Sequence, residues 1–172
     1  VVASYVAGEL AGPDRRITVE RAWQAARIAM VIIEPGSPAG FAVVRAAREQ
    51  LLGLGARVAA PCPGEGPCPM PEGDWCHFAQ RVERTSLHRR MKDGALGYED
   101  EKFSYVAVTR QEVGRASERI IRRPEQSPGL VRLTLCRGEA IGSAQVTRRT
   151  PPLFRAARKA GWGDEWEYHG GG

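Results

Sequence analysis

Apolar residues at Val19, Ala22, Trp23 and Ala26 recur at helical spacing, and the pattern predicts an amphipathic helix over roughly residues 19 to 29. Thr18 precedes it, where a hydroxyl can accept from free first-turn amides, and Glu20 faces the positive helix end. Val1 to Val6 read as a buried strand with no cap or turn ahead of them, which predicts that the chain is the carboxy-terminal part of a longer protein whose earlier strands pair with this one. Met30 to Ile33 form a short, wholly apolar run, as a parallel strand covered on both faces requires. Glu34-Pro35-Gly36 ends it.

Ser37 before Pro38 marks a second helix start, because proline at the first helical position gives up an amide that had no partner. Phe41, Val44, Ala47, Leu51 and Leu52 form its buried stripe. Gly53 and Gly55 stop the helix, and Arg57 to Ala60 read as the next strand. This alternation of strand and helix predicts a doubly wound α/β sheet. Further on, Phe103 to Val108 is a strand, and Val131, Leu133 and Leu135 alternate with Arg132 and Thr134 in a half-buried one. Cys136-Arg137-Gly138-Glu139 turns into a hairpin that returns through residues 140 to 147. Arg115 to Gly129 reads as a short helix and a linker. The closing glycines, 170 to 172, read as a flexible tail.

A length of 172 residues with 42% hydrophobic residues suffices for a core without staples. No apolar run approaches the roughly 18 residues that span a bilayer, and no signal sequence opens the chain, so a soluble protein without a membrane partner is expected, of cytosolic type. The net charge of +5 favours an acidic partner such as nucleic acid.

The four cysteines are spaced Cys62-x5-Cys68-x7-Cys76, with Cys136 far downstream. Cys62 and Cys68 lie in a segment so rich in proline and glycine that neither helix nor strand suits it. Metal–thiolate bonds would offset the entropy of ordering such a loop. Disulfides do not match the composition. Structural zinc prefers pairs two to four residues apart, whereas an iron–sulfur cluster spreads its ligands over several iron corners and tolerates wider gaps; both remain open on spacing. His77, beside Cys76, reads as a packing or supporting residue. His88 and His169 read as surface residues. Trp75 and Phe78 could shield a cluster from water or simply pack.

The runs Val31 to Phe41, Ala60-Pro61-Cys62-Pro63, Cys68-Pro69, Asp74 to Val82 and Tyr98 to Tyr105 together resemble the methyltransferase-like proteins of small-ribosomal-subunit assembly, a family with mitochondrial and bacterial members. The likeness runs from Val1 to about Trp166. It implies the carboxy-terminal part of a Rossmann-like class I methyltransferase sheet over residues 1–114, including the cysteine-rich loop 61–78. A basic β-hairpin extension, 115–169, would supply the fourth cysteine. It further implies a [4Fe-4S] cluster on Cys62, Cys68, Cys76 and Cys136, with zinc the alternative, and association with small-subunit ribosomal RNA. A mitochondrial matrix location would apply to eukaryotic relatives. Part of an S-adenosylmethionine or substrate pocket would fall at Tyr5, Glu9 and Glu34. Glu34 suits capping a neighbouring helix equally well, and Glu9 a solvated position. The glycine-rich turn that cradles this cofactor, and the acidic residue that holds its ribose, are missing, so the chain by itself should bind it poorly.

Charge is uneven. Residues 115 to 159 hold eleven basic and three acidic residues, or +8, against −3 elsewhere. Arg122, Arg123, Arg148, Arg149, Arg155, Arg158 and Lys159 are the candidate phosphate contacts, set against a merely solvated surface. Glu99-Asp100-Glu101 reads as a solvated turn that could pair with Arg81 or Arg84. No nucleophile with a matched base emerges. Three functions follow: a cluster-stabilised RNA-binding assembly factor, an active ribosomal-RNA methyltransferase when full length, or a zinc-stapled RNA-binding module.

Overall fold

The computed structural model describes residues 1–83 and 98–167. Its first sheet contains β1 (Val2–Ser4), β2 (Ala29–Pro35), β3 (Arg57–Ala60), β4 (Phe78–Glu83) and β5 (Tyr98–Thr109), in the order β1-β2-β5-β3. β2 takes one edge of β5; β3 and β4 share the other, β3 against its end and β4 against its beginning. β1 and β2 are parallel and β5 runs antiparallel to β2, β3 and β4, so four strands share a direction with β5 reversed among them.

β1 is connected to β2 by a short 3-10 turn, Ala7–Glu9, and α1 (Gly12–Ala25); α2 (Pro38–Gly53) joins β2 to β3. Val19 and Trp23 of α1 and Val43, Val44, Ala47 and Leu51 of α2 pack with Met30, Ile32, Val106 and Val108 in one core. Both helices therefore cover one face. This corrects the expectation for β2: Met30 and Ile32 are buried under the helices while Val31 and Ile33 are only half-buried, and one neighbour is antiparallel. Among the described residues no helix covers the opposite face in doubly wound fashion. β1 is not the buried strand expected, since Val1 and Val2 are exposed.

α1 starts earlier than the apolar stripe suggests. Pro13 occupies its first turn, and Thr18 lies mid-helix instead of capping it. Arg15 reaches back to the carbonyls of Ala7 and Leu10 at 2.7 and 2.8 Å and fixes the entry turn. At the other end Arg110 stacks on Trp23 at 4.3 Å and donates to the Ala26 and Trp23 carbonyls, a cationic cap for the negative helix end.

α2 follows its sequence signals closely. The Ser37 hydroxyl accepts from the Gly40 amide at 3.1 Å, and Gly55 takes φ +79° beyond the helix end. Gly40 has no room for a side chain, since a Cβ there would meet the Pro35 carbonyl oxygen at 2.1 Å. Gly40→Ala is expected to cost about 1–3 kcal/mol by overpacking the β2–α2 joint. A urea midpoint unchanged from the parent would contradict that contact.

The acidic run Glu99-Asp100-Glu101 is not a turn but part of β5, because β4 pairs with it in register. Arg81 sits opposite Asp100, with Nε 3.0 Å from Oδ1, and its guanidinium lies 4.1 Å above the Tyr98 ring. Arg84 and His88, like His169, lie outside the described residues.

The second sheet contains β6 (Glu118–Ile120), β7 (Glu125–Ser127), β8 (Leu130–Cys136), β9 (Ile141–Thr147) and β10 (Glu165–Trp166). The β8–β9 hairpin forms as expected, in full register from Leu130–Thr147 to Cys136–Ile141. The helix and linker expected over 115 to 129 are instead β6 and β7, both laid along the free edge of β8. α3 (Pro151–Lys159) packs Leu153, Phe154 and Ala157 onto this sheet, whose own core holds Ile120, Val131, Leu133, Leu135, Val146 and Trp166.

Candidate metal centre

The four cysteines arrive from different elements. Cys62 follows β3 just after a cis Ala60–Pro61 peptide, and Cys68 lies in the loop beyond it. Cys76 comes just before β4, its carbonyl accepting from the buried Ser104 hydroxyl of β5 at 2.8 Å. Cys136 is the last residue of β8. All four line one cavity of about 50 Å³ between the two sheets, together with Phe41, Phe78, Tyr105 and Ile121. The wall is mostly apolar, interrupted by Arg45, Arg48, Ser104 and Arg119. A water needs roughly 10–15 Å³ by the same measure, so the space suits a body of several atoms. Among the described residues no three His, Cys, Asp or Glu side chains are gathered closely enough to hold one metal ion. The thiols surround a volume; they do not crowd a point.

Glycine makes that convergence possible. Gly64 of the loop and Gly138 of the hairpin turn pack backbone to backbone, where a Cβ on Gly64 would meet the Gly138 Cα at 3.1 Å. Gly138 has φ +87°, a conformation that disfavours any side chain.

Burial pushes the Cys62 thiol up to about 11, with the Arg48 guanidinium opposing it and the charges of Cys68 and Cys136 adding to it. Cys76 is raised further, by burial first and then by Cys62, Cys68 and Cys136. Burial also raises Cys136, against a hydrogen bond from the Gly138 backbone. Thiols raised by burial in this way form thiolates readily only when positive charge shares the space.

Two buried arginines brace the site. Arg119 of β6 donates from Nε to the Pro61 carbonyl at 3.0 Å and from its terminal nitrogens to the Gly163 carbonyl and Glu165. Arg48 of α2 donates to the Gly64 and Gly66 carbonyls at 2.8 and 2.9 Å. Sequence reasoning missed both. For Arg48 the signal was present: it stands four residues after Val44 and seven after Phe41, on the apolar stripe itself, where a charged side chain calls for a partner.

Glu65 anchors the loop between Cys62 and Cys68. It accepts from the Val58 amide at 3.1 Å and pairs with Arg57 and Arg115. Burial alone would raise its pKa, but the Val58 amide and the two guanidinium groups together hold the carboxyl below its ordinary value. A lowered folded pKa stabilises above the ordinary carboxylate range, and that contribution is lost as pH falls through the folded value. Melts taken from about pH 6 to about pH 3 should fall more steeply for the parent than for Glu65→Gln. Parallel curves would count against this anchor.

Trp75, like Cys68, Cys76 and Cys136, packs against the Phe41, Met70 and Ile121 cluster, and it donates from Nε1 to the Gly36 carbonyl at 3.0 Å. His77 stacks on Trp75 and meets Trp162 edge-on, at ring separations of 5.3 and 4.9 Å. It takes a packing role, outside the cavity lining.

Tyr5 and Glu34 come together at the carboxyl ends of β1 and β2. The Tyr5 hydroxyl donates to Glu101 at 3.2 Å from a backbone at φ +55°. Glu34 is buried, and its carboxylate accepts from the Ala7 amide at 2.9 Å, capping the 3-10 turn. Glu9 is exposed on that turn.

The basic residues separate into two groups. Arg122 grips both carboxylate oxygens of Asp74 at 2.6 and 2.7 Å, so it serves the cysteine loop. Arg123 is exposed on a cleft that Arg81, Gln126 and Trp162 also line. Arg148, Arg149, Arg155, Arg158 and Lys159 are all exposed, on the turn after β9 and on the face of α3 turned away from the second sheet.

Residues 1–167 match the family model described as mitochondrial small ribosomal subunit Rsm22. The chain is also 30% identical over 179 aligned positions to the human (Homo sapiens) ribosome assembly protein METTL17, mitochondrial. That alignment takes in 95% of this chain and 38% of the human protein, so the chain spans about two fifths of that relative's length.

Proposed function

Because the chain belongs to the family described as mitochondrial small ribosomal subunit Rsm22, we propose that it acts in small-ribosomal-subunit assembly, as an RNA-binding piece whose two sheets are joined by a metal centre. The observation that carries the reading is the single cavity shared by Cys62, Cys68, Cys76 and Cys136. Four thiols spread around a volume of this size fit a [4Fe-4S] cluster better than one zinc ion, whose sulfurs would converge on a point. The unpartnered Nε of buried Arg48, in the same lining, fits a negatively charged thiolate-bound group.

The centre would be structural. Its sulfur bonds would tie the loop after β3 to the end of β8, and so hold the sheet carrying the exposed basic residues against the first sheet. The direction shared by β1, β2 and β3, with helices as connections, supports reading the first sheet as part of a Rossmann-like methyltransferase sheet. Methyl transfer is not part of this reading. Glu34, one of the three residues proposed for that pocket, is committed to the Ala7 amide, and the chain has no glycine-rich cofactor turn.

Iron, zinc and acid-labile sulfide analysis of anaerobically purified protein tests the centre. Iron and sulfide in equal amounts, near four of each per chain, are expected for the cluster reading. Stoichiometric zinc without sulfide would replace it by a zinc-stapled module, and a folded, metal-free chain would defeat it.

A further inference from the structure

We propose that Arg48 is a positioning residue for the four-cysteine centre: a buried cation that pins the cysteine loop to α2 and whose charge offsets the net negative charge of the thiolate-bound group. The inference rests on the metal-centre reading above and adds to it a residue outside the ligand set.

Arg48 is 5% exposed, near the middle of α2. Its terminal Nη2 donates to Gly64 and Gly66, both between Cys62 and Cys68, while Nε is buried without a partner. Among the described residues no carboxylate pairs with it. A guanidinium left in this state is costly unless an anion lies beside it. Arg119 lines the same cavity and is also buried, but its nitrogens go to Pro61, Gly163 and Glu165. Arg45 lines it too, at the exposed end, and pairs with Glu49 at 3.8 Å.

Four thiolates around a doubly positive core, whether a cluster or a zinc ion, leave a net negative charge in a mostly apolar wall. Arg48 supplies the opposite charge from within that wall. Because one guanidinium both orients the loop and balances the charge, the two roles are separable by substitution. Arg48→Met keeps bulk without charge, and Arg48→Lys keeps charge without the planar fork.

The test compares parent, Arg48→Met and Arg48→Lys, all purified anaerobically, by iron and sulfide content and by midpoint potential from a redox titration followed by electron paramagnetic resonance. Losing a nearby positive charge disfavours the more negative, reduced form. Arg48→Met should therefore shift the equilibrium between oxidation states by about tenfold toward the oxidised form, 59 mV lower for one electron, and Arg48→Lys should recover most of that shift. If the centre proves to be zinc, the same comparison is read as affinity against a chelator, with about a tenfold loss in Arg48→Met and recovery in Arg48→Lys.

A fully loaded Arg48→Met with the parent's potential, or the parent's zinc affinity, would leave Arg48 a mere strut and overturn the inference alone. If Arg48→Met fails to load, recovery of loading by Arg48→Lys supports the charge role, and equal failure of both overturns it. A parent chain free of iron and zinc overturns this inference and the metal-centre reading together.

Discussion

Under the cluster reading proposed above, replacing Cys136 by serine is expected to strip the chain of iron and sulfide and to lower its melting temperature by roughly 10–20 °C, the consequence of losing a metal worth about 4–5 kcal/mol in a chain of this length. Serine is nearly isosteric, so the loss reports the thiolate and not a packing defect. The consequence should be local. The second sheet has its own core around Ile120, Leu133, Leu135 and Trp166, and β8 keeps its ladders to β6 and β9. What loosens is the junction, where Cys136 meets Phe41, Met70 and Ile121. Amide exchange should accordingly quicken in the loop 61–78 and at the hairpin turn, while the middle of β8 stays protected. A Cys136→Ser protein with the parent's metal content and melting temperature would remove this residue from the centre.

Under the RNA-binding reading proposed above, neutralising Arg148, Arg149, Arg155, Arg158 and Lys159 together as glutamines should produce the largest change in RNA affinity. Each phosphate contact contributes about 0.7–0.9 to the slope of log affinity against log salt, so five contacts account for roughly 3.5–4.5 of it. These side chains are exposed, so their removal should leave the melting temperature nearly unchanged. Arg122→Gln is the contrasting control. Its guanidinium is held by Asp74, so it should loosen the cysteine loop and leave the salt slope in place. An RNA complex insensitive to salt, or a slope that survives the fivefold replacement, would move the contact surface elsewhere.

Much of this was legible from local signals. α2 was readable because Ser37, Pro38 and the stripe from Phe41 to Leu51 act within a few turns of one helix. The β8–β9 hairpin was readable for the same reason, as its alternation and its turn at Gly138 are contiguous. Where a distant partner decides, local reading failed. Glu99-Asp100-Glu101 looks like a solvated turn until β4 lies beside it and Arg81 faces Asp100. Residues 118–120 and 125–127 are too short to declare themselves as strands, and they form because β8 offers them an edge. The onset of α1 was set by Pro13 and by Arg15 reaching back to Ala7 and Leu10, not by Thr18.

The candidate site divides the same way. Residue identity alone named four thiols able to share a centre, because few side chains bind soft metals and two of them, Cys62 and Cys68, stand in a loop that needs an external anchor. Only the tertiary structure brought Cys136 to that loop, through the close approach of Gly64 and Gly138, and only it placed Arg48 in the cavity wall. The reason is that ligand chemistry is a property of single residues, written in the chain. Proximity and burial are properties of packing, and they exist only once both sheets and α2 have closed around the same space.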